Sequence, residues 1–361
     1  MKPVTKRLPV TVVTGFLGAG KTTLLRHLLL HSGQRLAVLV NEFGEVGIDG
    51  DLLRSCGFCP EEEVDSRLVE LANGCLCCTV QEEFLPTMGR LLERAESLDG
   101  IVIETSGLAL PEPLIAALHW PEIRTRIRLN GVVAVVDGEA LSAGAVVADP
   151  SALEAQRLSD PSLDHAAGID ELFGEQLEAA DLVLISRADR LSREGLEDVR
   201  HRLAPRVRSA VAVVPMGRGE VPPELVLGMT RNYSSVAGDG QGGFNDQGDH
   251  LHDHSHVAIE SMALHLEGSF EPKAFEQKLQ QLLLKGPGLL RVKGHLWSPG
   301  KTRPLQIQAV GPRLECWYES AAPCLQHDLA GRKPGLELVL LGFELQSASI
   351  EAFLREAATP L

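Results

Sequence analysis

Up to about residue 225 the chain is punctuated by short, β-branched, almost continuously apolar runs: Leu8 to Thr14, Leu36 to Val40, Gly100 to Glu104, Val132 to Val136, Asp181 to Ile185 and Ala210 to Val214. Continuous apolarity, without alternation, is what a strand covered on both faces requires. Between the runs lie stretches with helical spacing, among them Thr22 to His31, Glu82 to Ala95 and Leu191 to Leu203. Strand and helix in alternation predict an α/β domain with a mostly parallel sheet and right-handed crossovers.

Residues 231–256 break the pattern. They are rich in Gly, Asp, Ser and His and have no apolar period, which predicts a mobile linker with too little to bury. Patterning then resumes in a different style. Val257 to Leu266 alternates like a strand, and Glu271 to Leu284 is amphipathic. Leu289 to Trp297, Pro304 to Val310, Arg313 to Glu319 and Glu337 to Phe343 read as further strands, and Ser347 to Ala358 as a closing helix. That is a small sheet with helices on one face, an α+β unit. The expected division is residues 1–228, a linker over 229–256, and a second domain over 257–361.

Composition narrows the classes. With 34 Lys plus Arg against 49 Asp plus Glu in 361 residues, the formal charge is -15, and such a surface repels a phosphate backbone. General nucleic-acid binding is disfavoured. Nucleotides and divalent cations are not. No apolar run reaches membrane-spanning length, and the strand beginning at Leu8 leaves no room for a signal peptide, so the expected location is cytoplasmic, without membrane association. Five of the seven cysteines lie between Cys56 and Cys78, which in a reducing compartment suggests metal or thiol chemistry and not a disulfide framework.

The most specific motif is Gly15-Phe-Leu-Gly-Ala-Gly-Lys-Thr22, a complete phosphate-binding loop, set after an apolar strand and before a leucine-rich helix. Gly15, Gly18 and Gly20 allow the tight wrap. With Ala19, Thr23 and the helix N-terminus, they supply inward-facing N–H donors. Lys21 is the candidate for the β- and γ-phosphates, and the Thr22 hydroxyl for Mg²⁺. Glu104, at the end of a buried strand, is a candidate to orient Mg²⁺ through water, and the Gly107 N–H to face the γ-phosphate. These make Lys21, Thr22, Glu104 and Gly107 the candidate catalytic group. Asn41 to Glu45 reads either as a switch segment at the same sheet edge or as a solvated turn.

For the base, the stretch Leu184-Ile-Ser-Arg-Ala-Asp189 stands where GTP-selective loops carry Asn-Lys-x-Asp. Asp189 can accept from guanine N1–H and N2–H, which adenine does not offer. Arg187 can lay its aliphatic stem and guanidinium plane over the ring. Ser186 cannot replace the paired donor and acceptor of an amide.

Gly74-Cys75-Leu-Cys77-Cys78 packs three thiols into four positions. Thiolates favour Zn²⁺, Cu⁺ and Co²⁺ over Mg²⁺, whereas buried apolar cysteines usually occur singly. Cys56-Gly-Phe-Cys59 has the spacing of a zinc knuckle or redox pair, with its role open. His250, His252, His254 and His256 alternate on an acidic tether suited to weak auxiliary metal capture.

Together these motifs resemble the COG0523 group of P-loop GTPases that handle transition metals. The resemblance runs through Gly15 to Thr23, Asn41 to Gly44, Cys75 to Cys78 and Glu104 to Gly107. The longer stretches Glu70 to Met88, Glu104 to Pro111, Trp120 to Arg124 and Asp164-His165 are most similar to the group's cobalamin-biosynthesis branch. The resemblance implies a metallochaperone that binds Mg²⁺ and GTP. It implies a tight Co²⁺ site at Cys75, Cys77 and Cys78, with Glu42 a further candidate ligand, and release of the metal on hydrolysis. The implied client is the cobalt-chelating machinery of corrin synthesis. The residues themselves leave open cobalt or zinc, and also a storage or sensing module with little turnover.

Overall fold

The computed structural model describes residues 7–41, 68–71, 84–151, 153–154, 168–228, 259–285, 288–301, 303–318 and 333–359. They fall into two compact units, one spanning Arg7–Leu227 and the other built from Gly228–Leu361.

The first unit is a parallel sheet of seven strands with helices between them. In chain order these are β1 Leu8–Thr14, α1 Lys21–His31, β2 Leu36–Asn41, β3 Leu68–Leu71, α2 Leu85–Glu93, β4 Gly100–Glu104 and α3 Pro111–Leu118. There follow β5 Ile127–Asp137, α4 Gly138–Ser142, α5 Ile169–Ala179, β6 Leu182–Ser186, α6 Arg193–Leu203, β7 Ala212–Pro215 and α7 Pro223–Leu227. The spatial order is β3-β2-β4-β1-β5-β6-β7, every pairing parallel. Every residue of β4 and β6 is buried, the environment that selected their unbroken apolar sequences. One face packs Val10, Val12, Ile101 and Ile103 against Phe84, Met88 and Leu92. The other packs Ala134, Val136, Val183 and Ile185 against Phe173, Leu177, Val199 and Leu203.

The strand from Val132 to Val136 proves longer than its apolar run. It starts at Ile127 and passes through Asn130, whose buried amide donates to Thr11 Oγ1 at 2.8 Å and to the carbonyls of Val226 and Leu227. The register with β1 shifts at that point, which lets a polar residue sit inside a core strand with its hydrogen bonds made. β3 is a strand the patterning missed, being four residues long.

The strand order reverses direction around β1, which sits between β4 and β5. The carboxyl ends of these strands form the crevice where open α/β sheets take their ligands.

The second unit comprises β8 Glu260–Glu267, β9 Ser269–Phe270, α8 Pro272–Lys285, β10 Leu289–Trp297, β11 Leu305–Val310, β12 Arg313–Tyr318, β13 Gly335–Gly342, α9 Ser347–Arg355 and β14 Ala358–Thr359. An antiparallel sheet runs β12-β11-β10-β13-β8. Leu264, Leu266, Val292, Leu296, Leu338 and Leu340 from its strands form one core with Phe275, Leu279, Ile350 and Leu354 of α8 and α9. The last helix is shorter than its sequence pattern. It ends at Arg355, and Ala358 and Thr359 pair with Phe270 and Ser269 instead.

Candidate nucleotide site

β1 delivers the chain into the loop at Gly15, where φ is 136°. A side chain there would run into the Val135 carbonyl of β5, so the close approach as well as the dihedral demands glycine. Gly20, at φ 103°, is the N-cap of α1 and brings no capping side chain. The first turn of α1 carries no acidic residue. Its leading N–H groups therefore have neither an intrahelical acceptor nor an acidic side chain from the helix's own first turn, and they meet in a helix N-terminus suited to an anion.

Lys21 is nearly buried, with Nζ 3.3 Å from the Phe16 carbonyl and 3.8 Å from Glu104 Oε1. The Thr22 hydroxyl lies 3.5 Å from the same carboxylate oxygen. One ammonium, one hydroxyl and one carboxylate, contributed by residues 82 or 83 positions apart, thus converge at the mouth of the loop. Hard oxygen donors beside an N–H cradle are the set that Mg²⁺ with a bound polyphosphate requires, and the residues present fit that ion. When bound, it would neutralise charge on the phosphates, with Thr22 and Glu104 the residues to hold it.

Beyond Glu104 the chain turns back against the loop. The Thr105 N–H donates to the Val13 carbonyl at 2.9 Å, and the Thr105 and Thr14 hydroxyls are 3.0 Å apart. Gly107 rests on the phosphate loop so closely that a Cβ would stand 2.6 Å from the Leu17 nitrogen. Ser106 Oγ, beside it, is buried with no hydrogen-bond partner among the described residues. Gln176 of α5 donates to the carbonyls of Gly107 and Ala109, both at 3.1 Å.

On the other flank, β6 ends at Ser186, whose hydroxyl donates to the Val136 carbonyl at 3.1 Å. Arg187 follows in the left-handed region, φ 54°. Its guanidinium pairs with Asp137 and donates to the Gly18 carbonyl at 2.9 Å. The guanidinium plane is therefore held at the phosphate loop, and what remains of Arg187 to cover a base is the aliphatic stem. Asp137 also caps α4, accepting from the Glu139 and Ala140 N–H groups. Asp189 lies in a short 3-10 turn, Ala188–Arg190. Its Oδ1 is buried with no hydrogen-bond partner among the described residues, and its Oδ2 is 3.9 Å from Arg218 Nε. A buried carboxylate oxygen with unused acceptor capacity suits a paired donor such as guanine N1–H and N2–H.

The segment carrying Arg218 is itself tied to α1. His27 Nε2 is 2.9 Å from the Val221 carbonyl and, facing an acceptor, must donate. Burial, ahead of the neighbouring His31 charge, holds the His27 pKa below its ordinary value, while the Val221 bond and Glu220 oppose that shift.

Gly15, Gly18, Ala19, Gly20, Lys21, Thr22 and Thr23 follow β1, Glu104 and Gly107 end and follow β4, and Arg187 and Asp189 follow β6, so all stand at the carboxyl edge of the sheet. Asp137 and Gln176 were missed by patterning. An acid closing an apolar strand and opening a Gly-Glu helix is a cap signal that could have found Asp137. Nothing local marks Gln176. Glu42, Cys56, Cys59, Cys75, Cys77, Cys78, Asp164, His165, His250, His252, His254 and His256 lie outside the described residues. Among the described residues no group of three or more His, Cys, Asp or Glu could hold a metal ion, and no helix is long and apolar enough to cross a membrane.

Comparison with known proteins identifies the family. Residues 9–215 match the CobW/HypB/UreG nucleotide-binding domain, and residues 259–358 match the C-terminal domain of the cobalamin synthesis protein cobW. The chain is 45% identical over 360 residues to the zinc chaperone CobW of Pseudomonas aeruginosa, covering 99% of this chain and 93% of that protein. It is 40% identical over 350 residues to the zinc chaperone CobW of a Sinorhizobium species, covering 96% of each. To the zinc chaperone YjiA of Escherichia coli it is 28% identical over 355 residues, covering 96% of this chain and 97% of that one. With a family model matched over residues 9–215 and relatives 45% and 40% identical over nearly the whole chain, the chain belongs to the COG0523 group of the CobW/HypB/UreG family, the metal-handling P-loop GTPases.

Proposed function

We propose that this GTPase is a zinc metallochaperone, holding Zn²⁺ at Cys75, Cys77 and Cys78, with Glu42 as a further ligand, and yielding it when GTP is hydrolysed. The observation that carries the metal's identity is the end-to-end identity to two relatives that are zinc chaperones. Donor chemistry agrees, since clustered thiolates suit a tetrahedral soft site and take zinc over cobalt on raw affinity.

In this reading each candidate residue has a role. Lys21 and the N–H groups of Gly15 to Thr23 bind the β- and γ-phosphates. Thr22 holds Mg²⁺, and Glu104 orients it through water. Gly107 offers its N–H to the γ-phosphate. Asp189 reads guanine under the Arg187 stem. His250, His252, His254 and His256, on the 229–256 linker between the domains 1–228 and 257–361, deliver metal to the thiols in the cytoplasm. Cys75 to Cys78 stand in sequence between the phosphate loop and the Glu104 strand, so a γ-phosphate that orders one segment can order its neighbour.

A second reading keeps the same mechanism with Co²⁺ as cargo for the cobalt-chelating step of corrin synthesis. The match of residues 259–358 to the cobalamin-synthesis C-terminal domain favours it. One titration separates the two. Zn²⁺ and Co²⁺ are competed against a chelator in the apo, Mg²⁺-GDP and Mg²⁺-GTP-analogue states. The proposal expects zinc to bind more tightly, and either metal to bind most tightly with the triphosphate. Retention of Co²⁺ against equal free Zn²⁺ would establish the cobalt reading, and equal affinities in all three states would defeat the nucleotide switch. A Cys77→Ser chain should lose the thiolate-to-cobalt absorbance while still binding nucleotide.

A further inference from the structure

Gln176 is a polar side chain on the apolar face of α5, where its buried neighbours are Leu172, Phe173 and Leu177. It is 1% exposed. A carboxamide there is costly unless its hydrogen bonds are made. Both N–H donors are used, on the carbonyls of Gly107 and Ala109, 69 and 67 residues earlier in the chain. Because carbonyl oxygens can only accept, the chemistry itself assigns the nitrogen to this side of the amide.

The turn it grips is clamped from the opposite side too. Thr105 is bonded to Val13 and Thr14, Ala109 N–H donates to the Ser106 carbonyl at 3.1 Å, and Gly107 has no room to move toward Leu17. Ser106 to Ala109 is thereby wedged between the phosphate loop and α5. A turn so held offers its N–H groups in one geometry, and such pre-organisation is worth most when charge arrives at the site.

We propose that Gln176 is a positioning residue for the γ-phosphate: by fixing the Ser106–Ala109 turn against the phosphate loop it sets the preference for GTP over GDP and the rate of hydrolysis. The inference rests on the GTPase reading and on Gly107 facing the γ-phosphate. Gln176 touches no nucleotide. Its effect is confined to the state with a third phosphate, because Lys21 and the loop N–H groups serve both nucleotides.

The test uses the full chain with Gln176→Met, which keeps length and removes the donors, and Gln176→Glu, which sets a carboxylate against two carbonyls. The affinities for GDP and for a non-hydrolysable GTP analogue are measured with Mg²⁺, together with kcat and KM for GTP and the melting temperature. Losing two neutral hydrogen bonds predicts about a tenfold fall in analogue affinity relative to GDP, and a comparable fall in kcat. Gln176→Glu should be worse than Gln176→Met. A lower melting temperature with an unchanged analogue-to-GDP ratio would overturn the inference, leaving Gln176 as a satisfied core amide. Wild-type chain gives a second measurement independent of either variant's folding: amide exchange across residues 104–112 should be slower with the analogue than with GDP, and equal exchange overturns the proposal. If the wild-type chain binds no GTP analogue at all, the GTPase reading itself falls, which separates the two failures.

Discussion

Arg187 donates from its guanidinium to the carboxylate of Asp137, joining the residue after β6 to the residue that ends β5 and caps α4. The same guanidinium reaches the Gly18 carbonyl. One side chain therefore ties the segment proposed to read the base to the phosphate loop. Arg187→Ala should weaken GDP and GTP alike, by about 1.5–3 kcal/mol for a lost charged hydrogen bond. Calorimetric titration with both nucleotides checks it. Loss confined to GTP would mean that Arg187 serves the γ-phosphate and not the shared pocket.

Lys21 is the only side-chain cation of the phosphate loop, and its ammonium already sits within 3.8 Å of Glu104. Lys21→Ala (K21A) should abolish productive triphosphate binding, because no other side chain of the loop can neutralise the β- and γ-phosphates. Unchanged affinity for a non-hydrolysable GTP analogue would remove this loop from the nucleotide site.

Asp189 presents a buried oxygen with acceptor capacity to spare. Asp189→Ala (D189A) should cost roughly 2–5 kcal/mol of guanine binding, the usual loss when a desolvated charged partner is truncated. Competition of GTP against ATP reads it directly. A preserved GTP preference would place base recognition elsewhere.

His27 gives a pH signature. Its folded pKa is lowered, chiefly by burial, so between that value and the unfolded value of about 6.5 the unfolded chain binds the proton and the folded chain does not. This contribution to stability is present above about 6.5 and is lost as pH falls through the folded pKa. His27→Gln can still donate toward Val221 and does not titrate. Its melting temperature should fall less between about pH 7.5 and 5.5 than the wild type's. Parallel curves for the two chains would show that His27 is not a source of the acid sensitivity.

Much of the fold is legible in local pattern. Gly100–Glu104 and Leu289–Trp297 match their apolar runs end to end, because burial on both faces, or a regular alternation over one core, writes itself into consecutive residues. The phosphate loop is equally local: three glycines, a lysine and a threonine act within eight positions, so spacing alone carries the chemistry. The strand through Asn130 was not legible, since an asparagine reads as a break until Thr11, Val226 and Leu227 are seen to satisfy it. Nor was β14, whose partner Phe270 lies far back in the chain.

The candidate site divides along the same line. Residue identity and spacing were enough to name Lys21, Thr22, Glu104 and Asp189 as candidates, because phosphate, cation and base each call for a particular functional group. That Glu104 stands beside Lys21, that Thr105 meets Thr14 across 91 residues, that Asp137 pairs with Arg187 and that Gln176 bonds to Gly107 depended on the sheet order β4-β1-β5-β6 and on α5 packing against the turn after β4. Those relations are hydrogen bonds and ion pairs between residues remote in sequence. They form only when burial removes competing water and the folded backbone brings both partners within about 3 to 4 Å, conditions to which no window of neighbouring residues is sensitive.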